Sequence, residues 1–64
     1  MSDFKSRLSI EKSELDEKIA KLSDFVVGEA FKSIDPKQQD LLQTQLPVMQ
    51  RYSDILTERI LLLA

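Results

Sequence analysis

Leu8, Leu15 and Leu22 stand seven residues apart, and Ile19 and Val26 follow the last two of them by four. This spacing restricts the fold more than any other feature of the chain. At roughly 100° per residue on an α-helix, these side chains form one narrow stripe. Leucine at one seam position with Ile or Val at the other is the pattern of a coiled-coil seam, here about three heptads long. Phe4 extends the stripe toward the N-terminus, and Lys12 takes the remaining seam position. Ser2 or Asp3 supplies a cap. Glu14–Lys18 and Glu17–Lys21 are i, i+4 pairs worth roughly 0.2–0.5 kcal/mol each, and they read as a solvated face. Ile10 falls on the back of the helix, where a single apolar residue needs no special account.

The next signals end this helix and start another. Gly28, the one glycine, lies just past the stripe and either caps the helix in a left-handed turn or loosens it. Phe31 and Ile34, three apart, suggest an extra turn folded over the end of a hairpin. Asp35 then suits an N-cap, Pro36 the first helical position, and Gln38 the last place of a capping box. Beyond them Leu41, Leu42, Leu46, Val48, Met49, Tyr52, Ile55, Leu56, Ile60 and Leu63 cover about half of a helix circumference. Pro47 interrupts this run, and an interior proline costs about 3 kcal/mol. On the helical wheel it sits almost opposite Met49 and Tyr52, where it can bend a helix around a core, so one kinked helix is expected, with two helices as the lesser alternative. No stretch alternates with period two.

The expected fold is therefore all-α: an antiparallel helical hairpin forming one domain over residues 1–64. A first helix runs from about 3 to 27, a connecting turn from 28 to 35, and a second helix, kinked at Pro47, from about 36 to 63. Two such helices share a single interface. The narrow first stripe is covered by the second helix, but the wide second face is not covered in return. Chains below about 70–80 residues seldom have a sufficient core unless stapled or assembled. The sequence contains no cysteine and no histidine, which removes disulfides, thiolate and imidazole metal sites, and the usual nucleophile–base pairs. Homo-oligomerisation into a helical bundle is what remains, with a dimer as the default and a trimer or larger ring as the alternative. The expected interface is Leu8, Leu15, Ile19, Leu22, Val26, Leu42, Leu46, Met49, Tyr52, Leu56, Ile60 and Leu63.

No catalysis is expected. There is no glycine-rich phosphate loop, and Glu11, Glu14 and Glu17 share a helix side without the Glu-x-x-His motif of a di-metal bundle. No cofactor and no metal are expected either. The formal charge of −2 gives no general attraction to nucleic acid or to an anionic membrane. The start is polar, and the longest apolar run, Ile60 to Ala64, is far short of a membrane span, so a cytoplasmic location is expected. More telling are polar residues on the apolar faces: Lys12 in the first stripe, and Gln45, Tyr52 and Arg59 at seven-residue spacing in the second. Such groups set register in a seam and snorkel outward. Alternatively, Gln45, Tyr52 and Arg59 line an interfacial pocket. There Arg59 holds an anionic group, Tyr52 stacks or hydrogen-bonds, and Gln45 orients the ligand. Arg51 reads as a rim charge.

The spaced pattern Arg7-Leu8, Glu14-Leu15, Lys18-Ile19, Leu22, Phe25, Phe31, Leu41-Leu42, Gln45, Met49, Tyr52, Leu56, Arg59-Ile60 resembles short two-helix proteins of tailed bacteriophages and prophages that carry no assigned role. The resemblance implies an accessory protein made in an infected bacterium. The expected function is a homo-oligomeric interaction module that binds and modulates a host protein. The alternative is an oligomeric sponge that sequesters a nucleotide signal of bacterial immunity in interfacial pockets. A structural assembly element is a third reading. A fourth is an RNA binder like the plasmid Rop dimers, whose hairpin form is similar, but the interleaving of Lys5, Lys12, Lys18, Lys21 and Lys32 with acids leaves no basic stripe for RNA.

Overall fold

The computed structural model describes residues 2–63. The side chain of Ser2, one of the two expected caps, and Ala64, the end of the apolar run, lie outside the described residues. The chain forms three helices: α1 (Ser2–Val26), α2 (Glu29–Lys32) and α3 (Pro36–Leu61). There is no strand among the described residues. α1 packs along α3 and the result is an all-α hairpin measuring 47 × 15 × 13 Å. No helix among the described residues is long and apolar enough to cross a membrane.

Packing is thin, as two helices require. Leu8, Leu15 and Leu56 form the buried cluster, with Ile19, Met49 and Ile60 partly buried against it. Leu22, Val26, Leu42 and Leu46 continue the contact at half-burial toward the connection. Phe4 is expected to extend the α1 stripe but is 54% exposed, at the open end of the hairpin where α3 reaches its last turn. Ile10 is exposed on the back, as expected of that position. Of the two expected i, i+4 pairs on α1, only Glu17–Lys21 closes as an ion pair among the described residues, at 3.9 Å on an exposed face.

The connection differs in detail from the expected one. Gly28 is not left-handed: its φ of −92° and ψ of 170° are extended backbone. α1 ends with the Gly28 N–H donating to the Phe25 carbonyl at 3.0 Å, and the extended residue feeds directly into α2. This short turn buries Phe31, whose ring meets Phe25 edge-on at 5.8 Å between centroids. The geometry is the T-shaped one that ring quadrupoles favour.

At the start of α3, Asp35 occupies the N-cap and Pro36 the first turn, but the Asp35 side chain makes no capping hydrogen bond. The capping box expected from Gln38 does not form. Gln39 instead reaches back, its Nε2 donating to the Ile34 carbonyl at 2.9 Å and to the Lys32 carbonyl at 3.4 Å. One residue further round the helix, Gln39 faces the carbonyls left open where α2 stops, whereas Gln38 faces solvent. Past this point α3 runs unbroken through Pro47. The missing Pro47 N–H would have bonded the Gln43 carbonyl, and both residues lie on the exposed side of the helix.

Candidate functional site

α3 carries two heptad stripes, offset by one residue. The first, Leu42, Leu46, Met49, Ser53, Leu56 and Ile60, turns toward α1 and is buried or half-buried throughout. The second, Leu41, Gln45, Val48, Tyr52, Ile55, Arg59 and Leu62, follows the same alternation of three and four and is exposed throughout. On a 3.6-residue helix the two lie about 100° apart. Together they make the wide apolar face seen in the sequence. α1 covers one and leaves the other open.

A polar layer locks the covered stripe. Ser53 is 1% exposed. Its Oγ donates to Asp16 Oδ1 at 2.5 Å and accepts from Lys12 Nζ at 2.8 Å. Lys12 Nζ also lies 3.1 Å from Asp16 Oδ2, closing a three-membered clasp between α1 and α3. The Ser53 hydroxyl, and after it the Lys12 ammonium, hydrogen-bond the Asp16 carboxylate and hold its pKa below the ordinary value. Lys12 therefore makes a directed interhelical contact, while its side chain stays partly exposed. Ser53 and Asp16 were not singled out in the sequence. The available signal was positional: Ser53 fills the slot four after Met49 and three before Leu56, opposite the one charged residue of the α1 stripe.

The residues expected to line an oligomer interface divide between these surfaces. Leu8, Leu15 and Leu56 are buried inside the hairpin, and Ile19, Met49 and Ile60 pack on them. Leu22, Val26, Leu42 and Leu46 are half-buried beside α1 or α3. Tyr52 and Leu63 are exposed, Leu63 lying beyond the end of α3.

The expected pocket residues all stand on the open stripe. Gln45, Tyr52 and Arg59 are exposed and successive members are two helical turns apart, about 10 Å along the axis. Gln45 Nε2 donates to Met49 Sδ at 3.4 Å. Arg51 and Glu58 flank the stripe on its solvent side and form a loose pair at 3.9 Å. The described residues enclose no cavity, and no three of their metal-ligating side chains converge. The arrangement offers one cation, one aromatic face and one amide in a row on an apolar ground.

Fold and site together define a short helical hairpin, pinned by a polar clasp, that presents a second uncovered heptad stripe. The family model of Sequestin matches residues 2–62, nearly the whole chain. The chain belongs to the Sequestin family. Neither a curated protein nor a solved structure matches it.

Proposed function

We propose that this protein is a sequestering module: a homo-oligomer that binds an anionic small molecule of nucleotide type on the open stripe of α3 and removes it from solution without turnover. The carrying observation is the row Gln45, Tyr52 and Arg59, exposed along an otherwise apolar stripe. Each chemical part of a nucleotide has a counterpart in that row. Arg59 presents a planar fork of donors suited to a phosphate, Tyr52 a ring on which a base stacks, and Gln45 an amide that pairs with a base or ribose edge. The family name, Sequestin, is in keeping with sequestration. In this reading the protein acts inside a bacterium during phage infection, the setting that the resemblance of its spaced pattern implies.

A second reading rests on the apolar members of the same stripe. Leu41, Val48 and Ile55 are 40–63% exposed and would serve a docking site for a helix of a bacterial host protein. Isothermal titration with a panel of linear and cyclic nucleotides separates the two. Sequestration predicts saturable binding by at least one nucleotide. Arg59→Ala should weaken it by tenfold or more, the scale of a lost charge-assisted hydrogen bond, with helicity unchanged. Equal binding by Arg59→Ala, or no binding across the panel, would overturn the nucleotide reading and leave host-protein docking.

A further inference from the structure

We propose that a second copy of this chain docks on the open stripe of α3 in one antiparallel register, and that each binding site is shared between the two copies. The proposal deepens the sequestering role and rests on it for the meaning of the site. The register itself is argued from charge and spacing alone.

The open stripe keeps strict alternation of three and four from Leu41 to Leu62, which is the pattern that lets one helix seat its side chains between those of another. Its two flanks are unlike. On the α1 side lie Leu42, Met49 and Leu56, already part of the hairpin contact. On the solvent side lie Thr44, Arg51 and Glu58, so the charges able to select a partner occupy one flank only. A parallel pairing sets each charged flank against the other copy's apolar flank, and Arg51 and Glu58 then find no opposite charge. An antiparallel pairing sets charged flank against charged flank.

Antiparallel registers are spaced by one heptad of pairing. In one of them Tyr52 lies opposite Ile55 of the partner subunit, and Val48 opposite Arg59 of the partner subunit. That register brings Arg51 against Glu58 of the partner subunit, twice by symmetry. In the register on one side Arg51 faces its own copy, and in the register on the other side Glu58 does. Like charges directly opposed disfavour both. The loose 3.9 Å pair within one chain is thereby exchanged for two pairs across the interface.

The same register resolves a difficulty of the binding row. Within one chain Gln45 and Arg59 are about 21 Å apart along the axis, too far to hold one small ligand. Across the interface Arg59 sits opposite the partner's Val48, about one turn from the partner's Gln45 on one side and from the partner's Tyr52 on the other. The two-fold axis creates two such sites. Each takes its cation from one copy and its aromatic ring and amide from the other.

Charge reversal tests the register. Arg51→Glu and Glu58→Arg should each weaken self-association about tenfold, since two exposed attractions become repulsions. Mixing the two variants should restore wild-type affinity in a heterodimer, measured by sedimentation or native mass spectrometry. The pair within each chain stays like-charged in that mixture, so restoration reports the interface. An independent reading uses the absence of native cysteine. A mixture of Val48→Cys and Arg59→Cys chains should cross-link under mild oxidation, and neither should do so alone, because a disulfide needs Cα atoms about 4.4–6.8 Å apart. A monomeric wild type, unrestored mixing, or self-cross-linking of Arg59→Cys would overturn the proposal. A dimer in this register that binds no nucleotide sinks the sequestering role and leaves the interface standing. A monomer that binds nucleotide does the reverse.

Discussion

Leu56 and Ile55 are neighbours in the chain, equally apolar, and occupy different worlds: Leu56 is 0% exposed and Ile55 is 40% exposed. The contrast holds for the whole of α3. One stripe is covered by α1 and carries a single small polar residue, Ser53, whose hydroxyl is fully engaged. The adjacent stripe is open and carries three larger polar residues, Gln45, Tyr52 and Arg59. A buried polar group must be satisfied within the fold, so it is small and its partners are fixed. A polar group kept for a ligand or a second subunit stays exposed until that partner arrives. The same helix thus sets a polar residue built into the fold beside polar residues left open to solvent.

Substitution of the two neighbours should show the largest difference. Leu56→Ala removes a fully buried side chain at the centre of the buried cluster and should cost about 2–5 kcal/mol in urea unfolding. For so small a domain that approaches the whole stability. Ile55→Ala should cost only about 0.5 kcal/mol in dilute solution. Its cost should grow with protein concentration, since any stability drawn from assembly depends on mass action. Equal costs for the two, or a larger one for Ile55→Ala in dilute solution, would break the distinction between the stripes.

Ser53→Ala comes next. Its hydroxyl serves two partners, but Lys12 and Asp16 remain paired with each other and retain access to water when it is gone. The expected loss is therefore that of an ordinary hydrogen bond, about 0.5–1.5 kcal/mol, read from the urea midpoint. A loss above about 3 kcal/mol would mean that the clasp governs the packing of the hairpin as well as its register.

Much of this was legible in the residues. The α1 stripe from Leu8 to Val26, the break near Gly28, the Asp35–Pro36 start and the continuity of α3 through Pro47 all follow from periodicity and local chemistry. The division of the wide face of α3 did not. Its two stripes are each apolar enough to be a core, and a wheel gives their joint width without saying which half a narrow partner covers. Burial depends on how α1 is rotated, which is set by contacts between residues far apart in the chain, such as Lys12 and Ser53, 41 residues apart. The failed capping box has a similar cause. Gln38 has the right spacing, but the choice between Gln38 and Gln39 is made by where α2 leaves its last carbonyls, which is tertiary information. For the row Gln45, Tyr52 and Arg59 the residues gave spacing and chemistry. Their separation within one chain depends on α3 being a single helix.

Acid should produce the smallest effect, and its sign is fixed by Asp16. The Asp16 pKa is lowered in the fold, first by the Ser53 hydrogen bond and then by that of Lys12. A carboxylate whose folded pKa is depressed adds stability above its unfolded value, about pH 4, and loses it as pH falls through the folded value. Thermal unfolding followed from neutrality into acid should therefore show a falling midpoint in the wild type. In Asp16→Asn that part of the fall should be absent. Ser53→Ala should show a smaller fall that is complete at a higher pH, because the largest cause of the depression has been removed. The open stripe contains no carboxylate, so Tyr52→Ala should leave the profile of the dilute protein unchanged. A wild-type profile matching that of Asp16→Asn would show that the Asp16 charge contributes nothing to folding. The distinction between the stripes would then rest on apolar burial alone.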